Sequence, residues 1–555
     1  IWLYDSATGR HTNLTDLPGE DTNPVAGAAG EMYFLSERDG RPVNVYRAAL
    51  TPGAKAEAVT DFRTHPVRFL SRAADGRLAF TWDGELYTLA PGARKPAKVA
   101  IDLTADTTPQ IDKMTVSRGA HAGVPSPDGN SIAFVWRGDI FVTSTDYSTT
   151  RRITSTPQAE DEPTWGDDSR TLYYSSERDG RINIYKATIT RDDEPDMAHA
   201  TLITEEPVFK ADSHERGVPR VSPDGKQLAY ILDRNKLAVR DLASGKTRRL
   251  TDGSTYLHRD GKFTYTWSPD SRWIALEVVA RKHDPYTDIA LLNVADGTLT
   301  NLTNSGYFDA SPVWVMDGNA IMFASERYGM RNHASWGSMM DVMLVFLNQD
   351  ALDRWQLSKE DLALLKDAEK KAKKDAKKDD KADKDKKDKK GDKDSKDEAD
   401  DKAIKVELAG IEDRLVRVTP QSVDLVDALL TDDGETLYYL TDTPDGNQLW
   451  KLEPREDEHK LVTTLSSSAS FATPDGGKTA FLLGSAMKKL DTKSSKLTPI
   501  TYSGTATVDH AAEREAMYDN MAREVAARFY VADMHGVDWP AMTAAYRRFL
   551  PHISN

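Results

Sequence analysis

Ser485-Ala486-Met487-Lys488 has the Ser-x-x-Lys spacing, which on a helix sets a lysine amine beside a serine hydroxyl and makes a nucleophile. Here the flanking residues read as a strand, so the match is accounted for by chance. Gly245-Lys246-Thr247 has the ending of a phosphate-binding loop, but the first glycine of such a loop would stand where the chain has Arg240. The tripeptide also lies between two expected strands, and a hairpin turn explains it. His258, His283 and His333 could face a ring's central channel, yet no two share a helix face at ligand spacing, and a metal needs convergent ligands. Gly-x-Ser-x-Gly, His-Glu-x-x-His and Gly-x-Gly-x-x-Gly motifs are absent. No catalytic, cofactor-binding or metal-binding residue is therefore expected in this chain. Asn13-Leu14-Thr15 and Asn301-Leu302-Thr303 are formal glycosylation sequons, but both fall in a strand-closing repeat that explains them without sugar.

That repeat is the element that must position everything else. Ten segments close on an apolar residue followed by Thr, at Thr15, Thr60, Thr104, Thr154, Thr204, Thr251, Thr303, Thr419, Thr463 and Thr501. Most intervals are near ~47 residues, the period of a propeller blade. Within the units, turns recur as Ser126-Pro127-Asp128-Gly129, Ser222-Pro223-Asp224-Gly225, Ser268-Pro269-Asp270-Ser271, Asp432-Asp433-Gly434 and Thr473-Pro474-Asp475-Gly476. Such steps between apolar runs signal hairpins, because Gly accepts the positive φ of the turn. One unit shows the plan. Pro163-Thr164-Trp165, Leu172-Tyr173-Tyr174, Ile182-Asn183-Ile184-Tyr185 and Leu202-Ile203-Thr204 are four short strands joined by turns. Ser36-Glu37-Arg38-Asp39-Gly40 copies Ser176-Glu177-Arg178-Asp179-Gly180, and Ser325-Glu326-Arg327-Tyr328-Gly329 is a variant. Trp165, Trp267 and Trp314 recur once per blade, which predicts packing between neighbouring blades rather than a ligand platform.

Composition narrows the function classes. A chain of 555 residues exceeds one core, so several domains are expected. The net charge of -15 argues against a nucleic-acid surface, and no apolar run reaches the ~18 residues of a membrane span. With no cysteine there is no disulfide, thiolate nucleophile or Cys-based metal site. Peptides and proteins are the expected partners.

Counting closures gives residues 1–104 as the C-terminal blades of a first propeller, with Ile1-Trp2-Leu3-Tyr4-Asp5 as the third strand of its first visible blade. Residues 105–501 then form a seven-bladed propeller. An insertion at about 348–404 begins helically, with Ser358 as N-cap, and continues into a Lys/Asp tract over 366–402 that is expected to be disordered for want of apolar residues. The tract reads as a solvated loop. After Thr501 the period changes: Met517, Met521, Val525 and Phe529 stand four apart in an amphipathic helix over 511–530, and residues 505–555 read as the beginning of a helical domain. The fold class is mainly β, tandem propellers followed by α-helix.

The repeats resemble the propellers of TolB-like proteins and prolyl oligopeptidases. The segment from Ser325 to Gly337 followed by the charged insert, together with Met534-His535-Gly536-Val537-Asp538-Trp539-Pro540, resembles the tricorn protease family. That resemblance implies a six-bladed propeller, a seven-bladed propeller, a helical domain, a PDZ domain and a second catalytic domain, in a serine peptidase that degrades oligopeptides. It also implies that the catalytic His lies further along the helical domain and the Ser and Glu beyond the PDZ domain. His535 and His552 match neither position and are assigned no role. The implied function of this segment is a substrate filter, itself catalytically silent, without cofactor, taking peptide substrates, assembling as a hexamer and residing in the cytoplasm. A periplasmic location with an upstream signal peptide stays open. The alternatives are a stand-alone TolB-like binding or scaffold protein and the propeller of a prolyl oligopeptidase relative.

Overall fold

The computed structural model describes residues 1–101, 110–178, 180–279, 286–330, 338–384, 403–456 and 458–553. The chain divides into two compact units, Ile1–Thr108 with Pro540–Arg548, and Pro109–Trp539 with Phe549–Ile553. The first unit holds a hairpin of Trp2–Asp5 and Arg10–Asn13, then two four-stranded antiparallel sheets over 21–58 and 68–98. Val45, Val67, Leu70, Leu78 and Phe80 form a core between these sheets, and Phe62 stacks on Trp82 at 4.3 Å. The closure at Leu103-Thr104 lies outside the described residues.

In the second unit seven four-stranded antiparallel sheets follow one another in chain order: blade A (121–152), B (160–207), C (216–249), D (265–301), E (309–417), F (425–465) and G (469–500). Each neighbouring pair shares an apolar cluster, such as Val142, Trp165, Leu172 and Tyr174 between A and B, or Leu429, Tyr438, Leu449 and Leu482 between F and G. Second strands such as Ser131–Trp136 are buried at every position, because both faces of the sheet are covered by neighbouring blades. The ring closes between G and A through Phe134, Phe141, Phe481 and Leu483. Among the described residues no strand is exchanged across that seam. Instead the chain entering the ring, Ile111–Val116, pairs antiparallel with the chain leaving it, Gly504–Asp509. The sequence reading did not anticipate this ribbon.

The apolar-Thr repeat has a physical cause. Thr60, Thr154, Thr251, Thr303 and Thr419 each place Oγ1 to accept the backbone N–H that opens the third strand, from Val45, Ile140, Leu237, Ile289 and Val342 at 2.8–3.2 Å. Thr60 and Thr419 pass the hydroxyl proton on to Asn44 Oδ1 and Asp341 Oδ1. Blade B departs from this pattern. There Asn183 Oδ1 takes the Ile184 N–H, while Thr204 bonds Thr190 at the surface. Thr251→Val keeps the shape but leaves the buried Leu237 N–H without an acceptor, so it should cost about 1–3 kcal/mol in urea unfolding; Thr204→Val should cost well under half of that.

The turns and tryptophans repeat for equally local reasons. In Ser126-Pro127-Asp128-Gly129 the Ser126 hydroxyl donates to Asp128 Oδ1 and accepts from Ser131 N, and Gly129 takes φ +72°. Ser169 and Ser271 occupy the same left-handed position without being glycine, at φ +54° and +59°. Their hydroxyls accept from Asp128 N and Asp224 N of the preceding blades, a bond that offsets the backbone strain. Trp165, Trp267 and Trp314 each donate Nε1–H to an inner-strand carbonyl of the preceding blade, at Val124, Arg220 and Thr266. In the repeated Ser-Glu-Arg segments Arg38, Arg178 and Arg327 fold back onto a first-strand carboxylate, at Asp21, Glu160 and Asp309.

The insertion differs from expectation. Helix α1 (Gln349–Gln356), capped by Asn348, buries Ala351, Leu352 and Trp355 against the E–F cluster. Helix α2 (Lys359–Lys384) then starts at the predicted Ser358 cap and continues through the first half of the Lys/Asp tract. The tract was expected to be disordered from Lys366. Its Ala and Lys content and the opposite charges three and four apart, as at Asp367 and Lys370, favour a helix instead. The tract beyond Lys384 lies outside the described residues.

Candidate functional site

The first strands of blades A and B, B and C, D and E, F and G, and G and A contact one another, which sets the first strands around the ring's axis. Most carry a bulge there. Ala122, Glu162, Val218 and Ser311 sit at the bulges with φ between +49° and +57°. A bulge frees an N–H from the ladder, and several of these are taken up by the neighbouring blade: Val218 N by Ser175 Oγ, Ser311 N by Glu277 Oε1, and the inner-strand Phe471 N by Asp427 Oδ2.

Helix α3 (His510–Arg528), capped by Asp509, runs along this ring. It is tied to the loops between second and third strands of three consecutive blades: Glu513 to Arg137 of A at 2.8 Å, Arg523 to Glu177 of B at 2.9 Å and Glu524 to Arg234 of C at 3.0 Å. Arg234 is 5% exposed; it also faces Glu215 and donates to the carbonyls of His258 and Arg259. The predicted apolar stripe is not the docking face. Met517 is 69% exposed and Met521 and Phe529 are exposed too, because the charged side of the helix carries the contacts.

A cavity of about 370 Å³ lies between α3 and the inner strands of B and C. Its wall combines Asp161, Glu162, Glu177, Glu215, Asp260 and Glu524 with Arg234, Lys262 and Arg528. Burial pushes the Glu162 carboxyl up, but Arg220 at 2.9 Å and Lys262 at 3.1 Å outweigh it and hold the group below its ordinary value. Burial raises Glu177 against the pull of Arg523. A second cavity of about 290 Å³ lies where blades D, E and F meet, with Glu277 and Asp427 in an otherwise mostly apolar wall. Burial pushes Asp427 up to about 6, against the backbone N–H groups of Phe471 and Ala428 that favour the carboxylate.

For Asp427 the sign is that of a carboxyl that binds its proton more tightly folded than unfolded. The folded state therefore holds more protons between the unfolded value of about 4 and the folded value of about 6, and stability falls as pH rises through that window. Asp427→Asn should remove about 1–3 kcal/mol of the difference in urea stability between pH 4 and pH 8, relative to wild type.

The residues singled out in the sequence take structural places. Gly245 makes a hairpin turn at φ +71° between Lys236–Asp241 and Thr247–Arg249. Ser485 sits between two strands and accepts from Gly119 N, while Lys488 belongs to the following strand. His258 is exposed and its carbonyl accepts from Arg234; His283 and His333 lie outside the described residues. His535, in a 3-10 turn, meets Tyr530 edge to face, and His552 is exposed. The sequon residue Asn301 donates to Asp288. Among the described residues Glu453, Glu456 and Glu458 form a carboxylate trio, but Lys451, Lys359 and Lys460 already pair with them. Sequence reasoning missed Glu277, Asp427, Arg234 and the docking charges of α3, which no motif marks.

The closed ring of four-stranded blades defines a β-propeller protein, and residues 93–256 match the TolB beta propeller domain. Residues 510–555 match the tricorn protease C1 domain. The Tricorn protease homolog of Saccharolobus solfataricus is 24% identical over 329 residues, 59% of this chain and 28% of that protein. The crystal structure of the tricorn protease superposes with a TM-score of 0.68 at 15% identity, covering 100% of this chain and 50% of that one, which shows a shared fold. TolB from Acinetobacter baumannii gives a TM-score of 0.33 at 13% identity over 70% of this chain and 77% of that one. The resemblance to the tricorn protease family is borne out. This chain spans half the length of the tricorn protease structure and about a quarter of the Saccharolobus relative.

Proposed function

We propose that this chain is the propeller and early helical part of a tricorn-like serine peptidase, and that the ring of blades A–G filters extended peptides on their way to a catalytic centre outside it. The observation that supports this reading most is the placement of α3, at the start of the C1 match, on the loops of three successive blades around the ring's axis. A channel bounded by rigid strands selects by width before chemistry, so it admits extended chains and turns away folded ones. The peptidase activity, oligopeptide substrates, homo-oligomeric assembly and a cytoplasmic location belong to the same proposal. Among the described residues no helix is long and apolar enough to cross a membrane. A stand-alone TolB-like binding protein is supported by the match at 93–256 but leaves the C1 match without a purpose.

The chain as given should hydrolyse no peptide. Steady turnover of a labelled oligopeptide, abolished by a point substitution within residues 1–555, would overturn the assignment of catalysis to a centre outside it.

A further inference from the structure

The acids around the channel are treated differently in different sectors. On the A–C side most are neutralised by a cation of the protein itself: Asp139 by Arg152, Glu160 by Arg178, Glu162 by Arg220 and Lys262, Glu177 by Arg523. In the D–F sector Glu277 and Asp427 have no such partner among the described residues. Glu277, 8% exposed, accepts from Ser311 N at 2.8 Å and Thr264 N at 3.3 Å; Asp427 accepts from Phe471 N and Ala428 N at 2.7 and 2.8 Å. Backbone N–H groups orient both carboxylates but leave their charge in place. Both line one cavity, of about 290 Å³.

The remaining wall of that cavity is mostly apolar, including Phe308, Ala310, Met322 and Phe323. Val313 and Val426, on the inner strands of E and F, are each 41% exposed at the same place. Uncompensated carboxylates in an apolar wall and exposed valines beside them ask for complementary parts of one ligand. The charged part is cationic and the part behind it aliphatic, the combination a lysine or arginine side chain offers by burying its stem and pairing its head.

We propose that the cavity between blades D, E and F is a binding pocket for the basic side chain, lysine or arginine, of an extended peptide lying in the channel. Bound there, the ammonium or guanidinium faces Glu277 and Asp427, and the methylene stem covers Val313 and Val426. The pocket gives a peptide filter a chemical preference in addition to its width. This rests on the reading of the ring as a peptide channel.

The test is fluorescence anisotropy of two labelled peptides, acetylated and amidated at their ends so that only the side chain differs, one with a central lysine and one with norleucine. Wild-type protein should bind the lysine peptide at least ~10-fold more tightly. Glu277→Gln and Asp427→Asn should each reduce that ratio, and the double variant should bring it to about 1 with norleucine binding unchanged. Val426→Gln, a change at an exposed position, should weaken both peptides together. Equal binding of the two peptides by wild type, or a lysine preference that survives the double variant in a protein with unchanged circular dichroism, would overturn the pocket while leaving the channel reading intact. Failure of both peptides to bind at any concentration would overturn the channel reading and the pocket with it.

Discussion

Phe481→Ala should be the most damaging single side-chain truncation in the ring, lowering stability by about 3–5 kcal/mol and opening the seam between blades G and A. Phe481 is fully buried and shares a cluster with Phe134, Phe141, Trp136 and Tyr502. Elsewhere the blades follow one another along the chain, so a weakened interface is still held by its connecting loop. Among the described residues the G–A seam has no connecting loop and no shared strand, and closure relies on this cluster and on the ribbon of Ile111–Val116 with Gly504–Asp509. The packing is close: a methyl group on Gly123 of blade A would approach Leu483 of blade G to 3.0 Å. Hydrogen exchange should show first strands of A and G losing protection together, before those of C and D. Uniform loss around the ring would mean that the seam is no weaker than its neighbours.

Arg234→Ala should have the next largest effect and should act on helix α3. The guanidinium is buried and neutralises Glu524 and Glu215 while donating to two carbonyls, so its removal takes the cation from Glu215 and leaves Glu524 to the more exposed Arg528. Truncating one partner of a buried pair costs about 3–5 kcal/mol; because Glu524 keeps some contact with solvent, about 2–4 kcal/mol is expected here. Amide exchange along the second half of α3 should accelerate by roughly a hundredfold, which corresponds to about 3 kcal/mol. Arg137→Ala breaks a more exposed pair and should cost at most about 1 kcal/mol. Equal effects of the two variants would show that α3 is not held by the Arg234 contact.

The parts of this architecture that were legible in the sequence are those in which one residue type performs the same local task in many blades. Thr at the end of a unit caps an N–H of the third strand, Ser-Pro-Asp-Gly folds one turn, and Trp ties one blade to the last; repetition exposes each of these because the geometry repeats. Features that occur once leave no period. The entry and exit strands pair across the whole ring, so nothing in either segment announces its partner. Glu277 and Asp427 become notable only because their blades place them in one cavity with no cation among its described lining residues. The α3 stripe of Met517, Met521, Val525 and Phe529 was misleading in a definite way: apolar periodicity identifies a helix correctly, but which face docks depends on the charges of the surface it meets, here Arg137, Glu177 and Arg234. The Lys/Asp tract was read by its lack of apolar residues, which excludes a core but not a helix.

The central claim is that the ring holds a channel through which extended peptide passes. Ser470 is exposed on the inner strand of blade G, so Ser470→Trp should narrow that channel without touching the blade cores. The decisive measurement is the affinity of an uncharged, extended, labelled peptide for wild type and for this variant, with a small folded domain bearing the same label as control. The account predicts that wild type binds the peptide and not the folded domain, and that Ser470→Trp loses most of the peptide binding. Peptide affinity unchanged by the tryptophan, or equal affinity for the folded domain, would contradict it.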